Sequence, residues 1–331
     1  MRTRFFIFLM SFFLFSCVKD EENNKPVESL SNVLWLVNEG NFLNGNASLF
    51  TYDPNSKKIE ENVFSRVNKR PLGDVLQSVF FDGDRAYLVV NNSGKIEVLN
   101  RNNYQSITTI DDLPSPRYIA KANNRLFVSN FTLGSKSEIT VIENDAIVAR
   151  IPTDGWTEGI IAVGDYIYAC NSSSGKLLKI STNTFDIEDR LELEEGISEI
   201  AFNGTELLVF ALSDERFVCF KVSPENLVKT EELSFMGNFS YSGIDWKGTY
   251  DSFYVAMDDG IVKFPSSGAF EPETVIRSNK NFYNISYHDD NIYISDARDF
   301  ARKGNVLRYN LNGKLIDSFQ AGIIPSGLYS P

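Results

Sequence analysis

Asp84-Arg85-Ala86-Tyr87-Leu88-Val89-Val90-Asn91 reads as a polar turn, a short apolar strand with a large side chain at its centre, and a polar stop. The phrase recurs as Asn32-Val33-Leu34-Trp35-Leu36-Val37-Asn38, Asn124-Arg125-Leu126-Phe127-Val128-Ser129-Asn130 and Asp165-Tyr166-Ile167-Tyr168-Ala169-Cys170-Asn171. Further copies centre on Leu208, Tyr254 and Tyr293, so successive centres lie 52, 40, 41, 40, 46 and 39 residues apart. Self-similarity at roughly 40–45 residues is the period of four-stranded blades. Seven copies therefore predict an all-β fold, a seven-bladed β-propeller.

The flanks of each copy agree. Another short strand lies upstream, as in Ser78-Val79-Phe80-Phe81 and Tyr118-Ile119-Ala120, and tight turns such as Asp82-Gly83-Asp84 join the two. A third and a fourth strand follow, as in Lys95-Ile96-Glu97-Val98-Leu99 and Ser106-Ile107-Thr108-Thr109-Ile110. No window carries a helical period. The first copy lacks an upstream strand, whereas Ile324-Pro325-Ser326-Gly327-Leu328-Tyr329 has no blade of its own. Residues 323–329 are thus expected to supply the innermost strand of blade one and close the ring, covering an otherwise open sheet edge.

Composition narrows the function. The 331 residues are 43% hydrophobic and 23% charged, which places the chain among globular proteins. Thirty-two Lys and Arg against 44 Asp and Glu give a net charge of −12, the wrong sign for a nucleic-acid footprint. One His and three Cys cannot build a His-rich or Cys-rich metal cage, so neither a metal nor a cofactor is expected.

Before the repeats, Arg2 and Arg4 precede an apolar run that stops at Cys17, too short to span a bilayer but of signal-peptide length. Leu14-Phe15-Ser16-Cys17 resembles a bacterial lipobox, in which the Cys is acylated and becomes the first mature residue. The expected organisation is a signal peptide over residues 1–16, an acylated Cys17 with a flexible acidic tether over 17–30, and the propeller over 31–331. Membrane association would then run through the lipid anchor only. Val18-Lys19-Asp20-Glu21-Glu22-Asn23-Asn24 resembles the acidic tether that sends Bacteroidota lipoproteins to the outer surface of the outer membrane, which implies an outward-facing protein.

In such a ring, the loops from second to third strand and from blade to blade share one face. Here that set is the longer and more aromatic, which is where loops carry function. Its second-to-third-strand loops span 38–47, 130–138 and 296–304, and include Asn38 and Phe42. The inter-blade loops carry Tyr118, Trp156, Phe239, Tyr241, Phe282 and Tyr283. Gln77, Arg117 and Glu158 should stand beside them at the channel mouth, each starting an innermost strand. Arg298, Arg302 and Lys303, with Lys69 and Arg70, place cations on the same face. Taken singly, each aromatic is more readily a blade-packing residue, and each charge as readily a solvated one; their convergence on one face raises the ligand reading.

Other chemistry is thin. His288 falls in a turn on the opposite face, and no carboxylate pair stands out for acid–base work, so no catalytic residue is assigned and the chain is read as a non-enzyme. Cys170 and Cys219 read as small core residues or, in an oxidising compartment, as a disulfide.

The lipobox, the acidic tether, Asn38-Glu39-Gly40-Asn41-Phe42 with Asn46-Ala47-Ser48-Leu49, and Gly322-Ile323-Ile324-Pro325-Ser326-Gly327 together resemble YncE-like propeller lipoproteins of Bacteroidota, in particular the vitamin B12-capturing (BtuG-type) group. That resemblance implies capture of a corrinoid and its delivery to a TonB-dependent outer-membrane receptor. Propellers that bind ferric siderophores look much the same, and a surface scaffold for other proteins is a further alternative.

Overall fold

The computed structural model describes residues 33–131, 137–213, 215–239, 252–257, 259–266, 271–278 and 282–331. Among them lie seven antiparallel sheets, six of four strands and one of three. Each is a blade, and in all but blade one the described strands run in sequence order from the axis outward. Blade two, for example, runs Leu76–Asp82, Arg85–Val90, Lys95–Asn100, Ser106–Ile110. Blade six shows three strands among the described residues, with an isolated bridge between Phe239 and Met257. The protein is a seven-bladed β-propeller.

Why the repeated phrase is apolar throughout is visible in its packing. Its second strand is sandwiched between two neighbouring blades, so both of its faces are buried. Alternate residues then divide between two cores. In blade two, Ala86, Leu88 and Val90 pack back onto blade one, while Tyr87 and Val89 pack forward onto blade three. The seven central residues all point the same way. Trp35, Tyr87, Phe127, Tyr168, Leu208, Tyr254 and Tyr293 each enter the core shared with the next blade, and for Tyr293 the next blade is blade one.

The ring closes as the ends of the sequence indicate. Pro325–Tyr329 pairs antiparallel with Leu34–Asn38, Leu328 opposite Leu36. Leu328 is anchored further by its N–H to Ser286 Oγ (3.0 Å) and by its carbonyl to His288 Nε2 (2.8 Å). The closing strand is shorter than expected: Ile323 still belongs to the outer strand of blade seven, Leu315–Ile323, and Ile324 turns with a φ of 52°. His288 likewise ends the inner strand Asn284–His288 rather than standing in a turn.

A six-residue helix, Val63–Asn68, connects blades one and two and buries Val63 and Phe64. At under two turns it is too short to show a helical period. It accounts for the long first spacing of the repeat, since Asn68 caps its own turn and also bonds Tyr104 O and Ser106 N of blade two.

Candidate functional site

Five innermost strands share an irregularity near their first residue. Register slips after Leu76, Pro116, Thr157 and Ile197, and at the matching place between the closing strand and Asn38. A bulge leaves a residue without a cross-strand partner and re-aims its side chain. The residues so released include Gln77, Arg117, Glu158 and Ser326, and they meet around the axis at one end of the ring.

Arg117 is the hub. Its Nε donates to Glu158 Oε2 at 2.8 Å and its Nη1 to Gln77 Oε1 at 2.5 Å, joining blades two, three and four. The guanidinium also lies 5.8 Å from the ring centroids of Tyr118 and Phe131, within cation–π range. Across the mouth, Tyr283 Oη donates to Glu39 (3.0 and 3.1 Å to the two oxygens). Glu39 is fixed by its own backbone, whose N–H donates to Ile324 O at 2.9 Å. The next residue must be glycine: Gly40 has a φ of +77°, and a Cβ there would strike Asn46 and the Ala47 backbone.

The electrostatics follow from crowding in a poorly hydrated place. Burial pushes the Glu39 carboxyl up, against the lowering effects of the Tyr283 hydroxyl and Arg117. Burial raises Glu158 too, with Arg117 opposing it. Burial disfavours charge on Arg117, yet Tyr118, Glu158 and Glu39 together hold its pKa above the ordinary value. The Tyr283 and Tyr118 hydroxyls are both raised, first by burial and then by Glu39 and Glu199 respectively.

Around this polar centre stands an aromatic rim. Phe131 packs against Trp156 with centroids 4.7 Å apart, and Tyr283 meets Phe300 edge-on at 5.5 Å. Asn41 Nδ2 donates to Phe300 O, tying the blade-one and blade-seven loops together. On these loops Phe42 is 64% exposed, Leu43 75% and Phe300 51%, unusual for such side chains.

Several sequence candidates belong elsewhere. Asn38 is wholly buried, its Nδ2 facing the Ser48 carbonyl and its Oδ1 accepting the Gly322 N–H, so it fastens blade one to blade seven. Phe239 and Phe282 are core residues of blades five to seven: residues that enter an innermost strand face the next blade as readily as solvent. Tyr241 lies outside the described residues, as do residues 1–32 with Cys17. Cys170 and Cys219 are free, buried thiols in separate cores. Of the cations, Arg70 forms a bidentate pair with the fully buried Glu97, and Lys69 closes the short helix. Arg302 pairs with Asp299 and Lys303 with Glu61, while Arg298 stays on the exposed loop. Glu39, Phe131 and Phe300 join the site without a motif of their own in the sequence. A glycine directly after Glu39 and aromatics in two long loops are the only sequence signals for them.

Below the mouth runs an axial cavity of about 330 Å³. Ser78, Tyr118, Gly159, Glu199, Asn284 and Ser326 line it, one from each described innermost strand of blades two, three, four, five, seven and one.

No protein-family model matches the chain, and no curated protein matches it in sequence. Solved structures do. A functionally unknown protein from Desulfotomaculum acetoxidans superposes with a TM-score of 0.68 at 12% identity, over 90% of this chain and 98% of that one. A quinonprotein alcohol dehydrogenase-like protein from Bacteroides thetaiotaomicron gives 0.66 at 12% identity, over 90% and 78%. What they share with this chain is the propeller. At such identity the likeness concerns fold alone, and function rests on the site.

Proposed function

We propose that the loop-rich face captures a bulky, weakly charged nutrient without transforming it, and that the nutrient is a corrinoid handed to a TonB-dependent outer-membrane receptor. The observation that carries this reading is the aromatic rim, Phe131 with Trp156 and Tyr283 with Phe300, set around a polar centre whose guanidinium is already paired. A flat macrocycle edged with amides offers apolar area to such rings and hydrogen bonds to groups like Gln77. It is also too broad for a closed pocket of roughly 300–1,000 Å³, whereas an open face accommodates it. A ferric catecholate siderophore, strongly anionic, is less well served, because Arg70, Arg117, Arg302 and Lys303 each hold a carboxylate. The exposed Phe42 and Leu43 suit contact with the receptor that takes over the ligand.

Trp156→Ala should lower cyanocobalamin affinity at least about tenfold, or ~1.4 kcal/mol, in calorimetry while the melting curve stays in place. An unchanged affinity would remove Trp156 from the ligand face. Location has its own test. A diacylated Cys17 supplies the two chains needed for stable anchoring. Cys17→Ala should therefore move the protein from the membrane to the soluble fraction, and continued membrane association would exclude the lipid anchor.

A further inference from the structure

Three Asn-Gly pairs fall within the described residues: Asn44-Gly45, Asn203-Gly204 and Asn312-Gly313. In such a pair the backbone nitrogen of the glycine can attack the side-chain carbonyl carbon of the asparagine. Glycine permits this best, because it has no Cβ to crowd the attacking nitrogen and its backbone turns freely. The dipeptide is the same at all three places, but the fold treats them differently.

Two of the pairs are restrained. Asn203 Oδ1 accepts the N–H groups of Thr205 and Glu206 at 2.9 and 2.7 Å, which fixes the side chain within its own turn. At Asn312-Gly313 the attacking nitrogen is occupied, since the Gly313 N–H donates to Asn310 O at 3.0 Å. That glycine is also wedged in place: a Cβ on it would lie 2.0 Å from Val275 O. Asn44-Gly45 has neither restraint. Among the described residues, neither the Asn44 side chain nor the Gly45 N–H makes a hydrogen bond. Both residues are exposed beside Phe42 and Leu43, and a Cβ on Gly45 would meet nothing within 4 Å. The tip is held on either side of the pair, by the Asn44 N–H on Asn41 O (3.1 Å) and the Asn41 N–H on Asn46 Oδ1 (2.7 Å).

We infer that Asn44 is a self-modification site, at which the protein deamidates through a succinimide formed with Gly45. The Gly45 nitrogen gives up its proton and bonds to Asn44 Cγ; the Cγ–Nδ2 bond breaks, and ammonia leaves with that proton. Water then opens the ring. Attack at the main-chain carbonyl carbon gives isoaspartate, and attack at Cγ gives aspartate. Either product sets a carboxylate beside Phe42 and Leu43, in a chain whose net charge is already −12. Isoaspartate also adds a methylene to the backbone between Asn41 and Asn46. The apolar tip therefore changes with the age of the protein, by chemistry that does not depend on what the tip contacts.

Peptide mass spectrometry of the full-length protein, aged in mildly alkaline buffer, tests this, with isoaspartate scored by enzymatic methyl labelling. Asn44 should convert at least about tenfold faster than Asn203 or Asn312, equivalent to ~1.4 kcal/mol in the barrier. In a urea-denatured sample the three rates should converge, because the restraints on the other two pairs are gone. Gly45→Ala should slow conversion at Asn44 at least about tenfold, and Asn44→Gln should abolish the acidic form that ion exchange resolves as the folded protein ages. Similar rates at the three sites in the folded protein, conversion led by Asn203 or Asn312, or an Asn44 that converts only after denaturation would each overturn the inference. Cobalamin binding is a separate readout, and its absence would leave this site standing.

Discussion

Deleting residues 325–331 is expected to destabilise the entire ring, lowering the melting temperature by at least about 10 °C. The segment supplies the innermost strand of blade one, so its loss leaves Leu34–Asn38 as an unpaired edge facing the channel. It also removes Leu328 from the core between blades seven and one, where it packs with Leu34, Leu36 and Tyr293. A Leu→Ala change in such a core costs about 2–5 kcal/mol, and the deletion adds the lost ladder and the contacts to Ser286 and His288. A total on the order of 5 kcal/mol or more is a large share of the roughly 5–15 kcal/mol that stabilises a folded domain. The comparison to make is thermal unfolding of the deletion beside Leu328→Ala alone. A deletion no worse than the point substitution would mean that the closing strand is not what holds the ring.

Arg117→Ala should be the most damaging single change at the site, and its cost should depend on pH. The substitution leaves Glu158 and Glu39 buried without the cation that serves them both, a situation that costs about 3–5 kcal/mol. Both carboxyls already titrate above their ordinary value in the folded chain. A raised folded pKa means that the protonated form favours the fold. That contribution is fully present below the unfolded pKa and is lost as pH rises through the folded one. Removing Arg117 raises both carboxyls further. The deficit should therefore be greatest near neutral pH and shrink toward about pH 5, as they protonate. Urea unfolding at the two pH values checks this; an equal deficit at both would show that Arg117 acts through packing on Phe131 and Tyr118 rather than through charge.

The architecture was legible because the repeat encodes it twice. Tyr87 and its six counterparts mark the period, and the all-apolar strand around each records burial from both sides. The closing strand was readable from what the two ends lack, though not its start, because Ile323 and Ile324 look alike in sequence while only the first stays in blade seven. The site was readable in part. Gln77, Arg117 and Glu158 are polar residues at the head of apolar strands, which has few explanations besides a channel mouth. Asn38 was misplaced because a polar stop after a strand can face solvent or, as here, bind its own neighbours. Phe239 and Phe282 misled for a related reason: an aromatic entering an innermost strand looks the same in sequence whether it turns to the rim or to the core. Glu39 is not legible in sequence because its importance depends on Tyr283 and Arg117, distant in sequence and joined to it only by ring closure.

The measurement that bears most directly on the proposed function is a calorimetric titration of the full-length protein with cyanocobalamin at low and high salt, beside a ferric catecholate. Capture by aromatic contact and neutral hydrogen bonds predicts tight cobalamin binding that salt barely alters, since screening weakens only exposed charge–charge attraction. No heat with cobalamin at either salt concentration, or binding confined to the catecholate and lost at high salt, would contradict it.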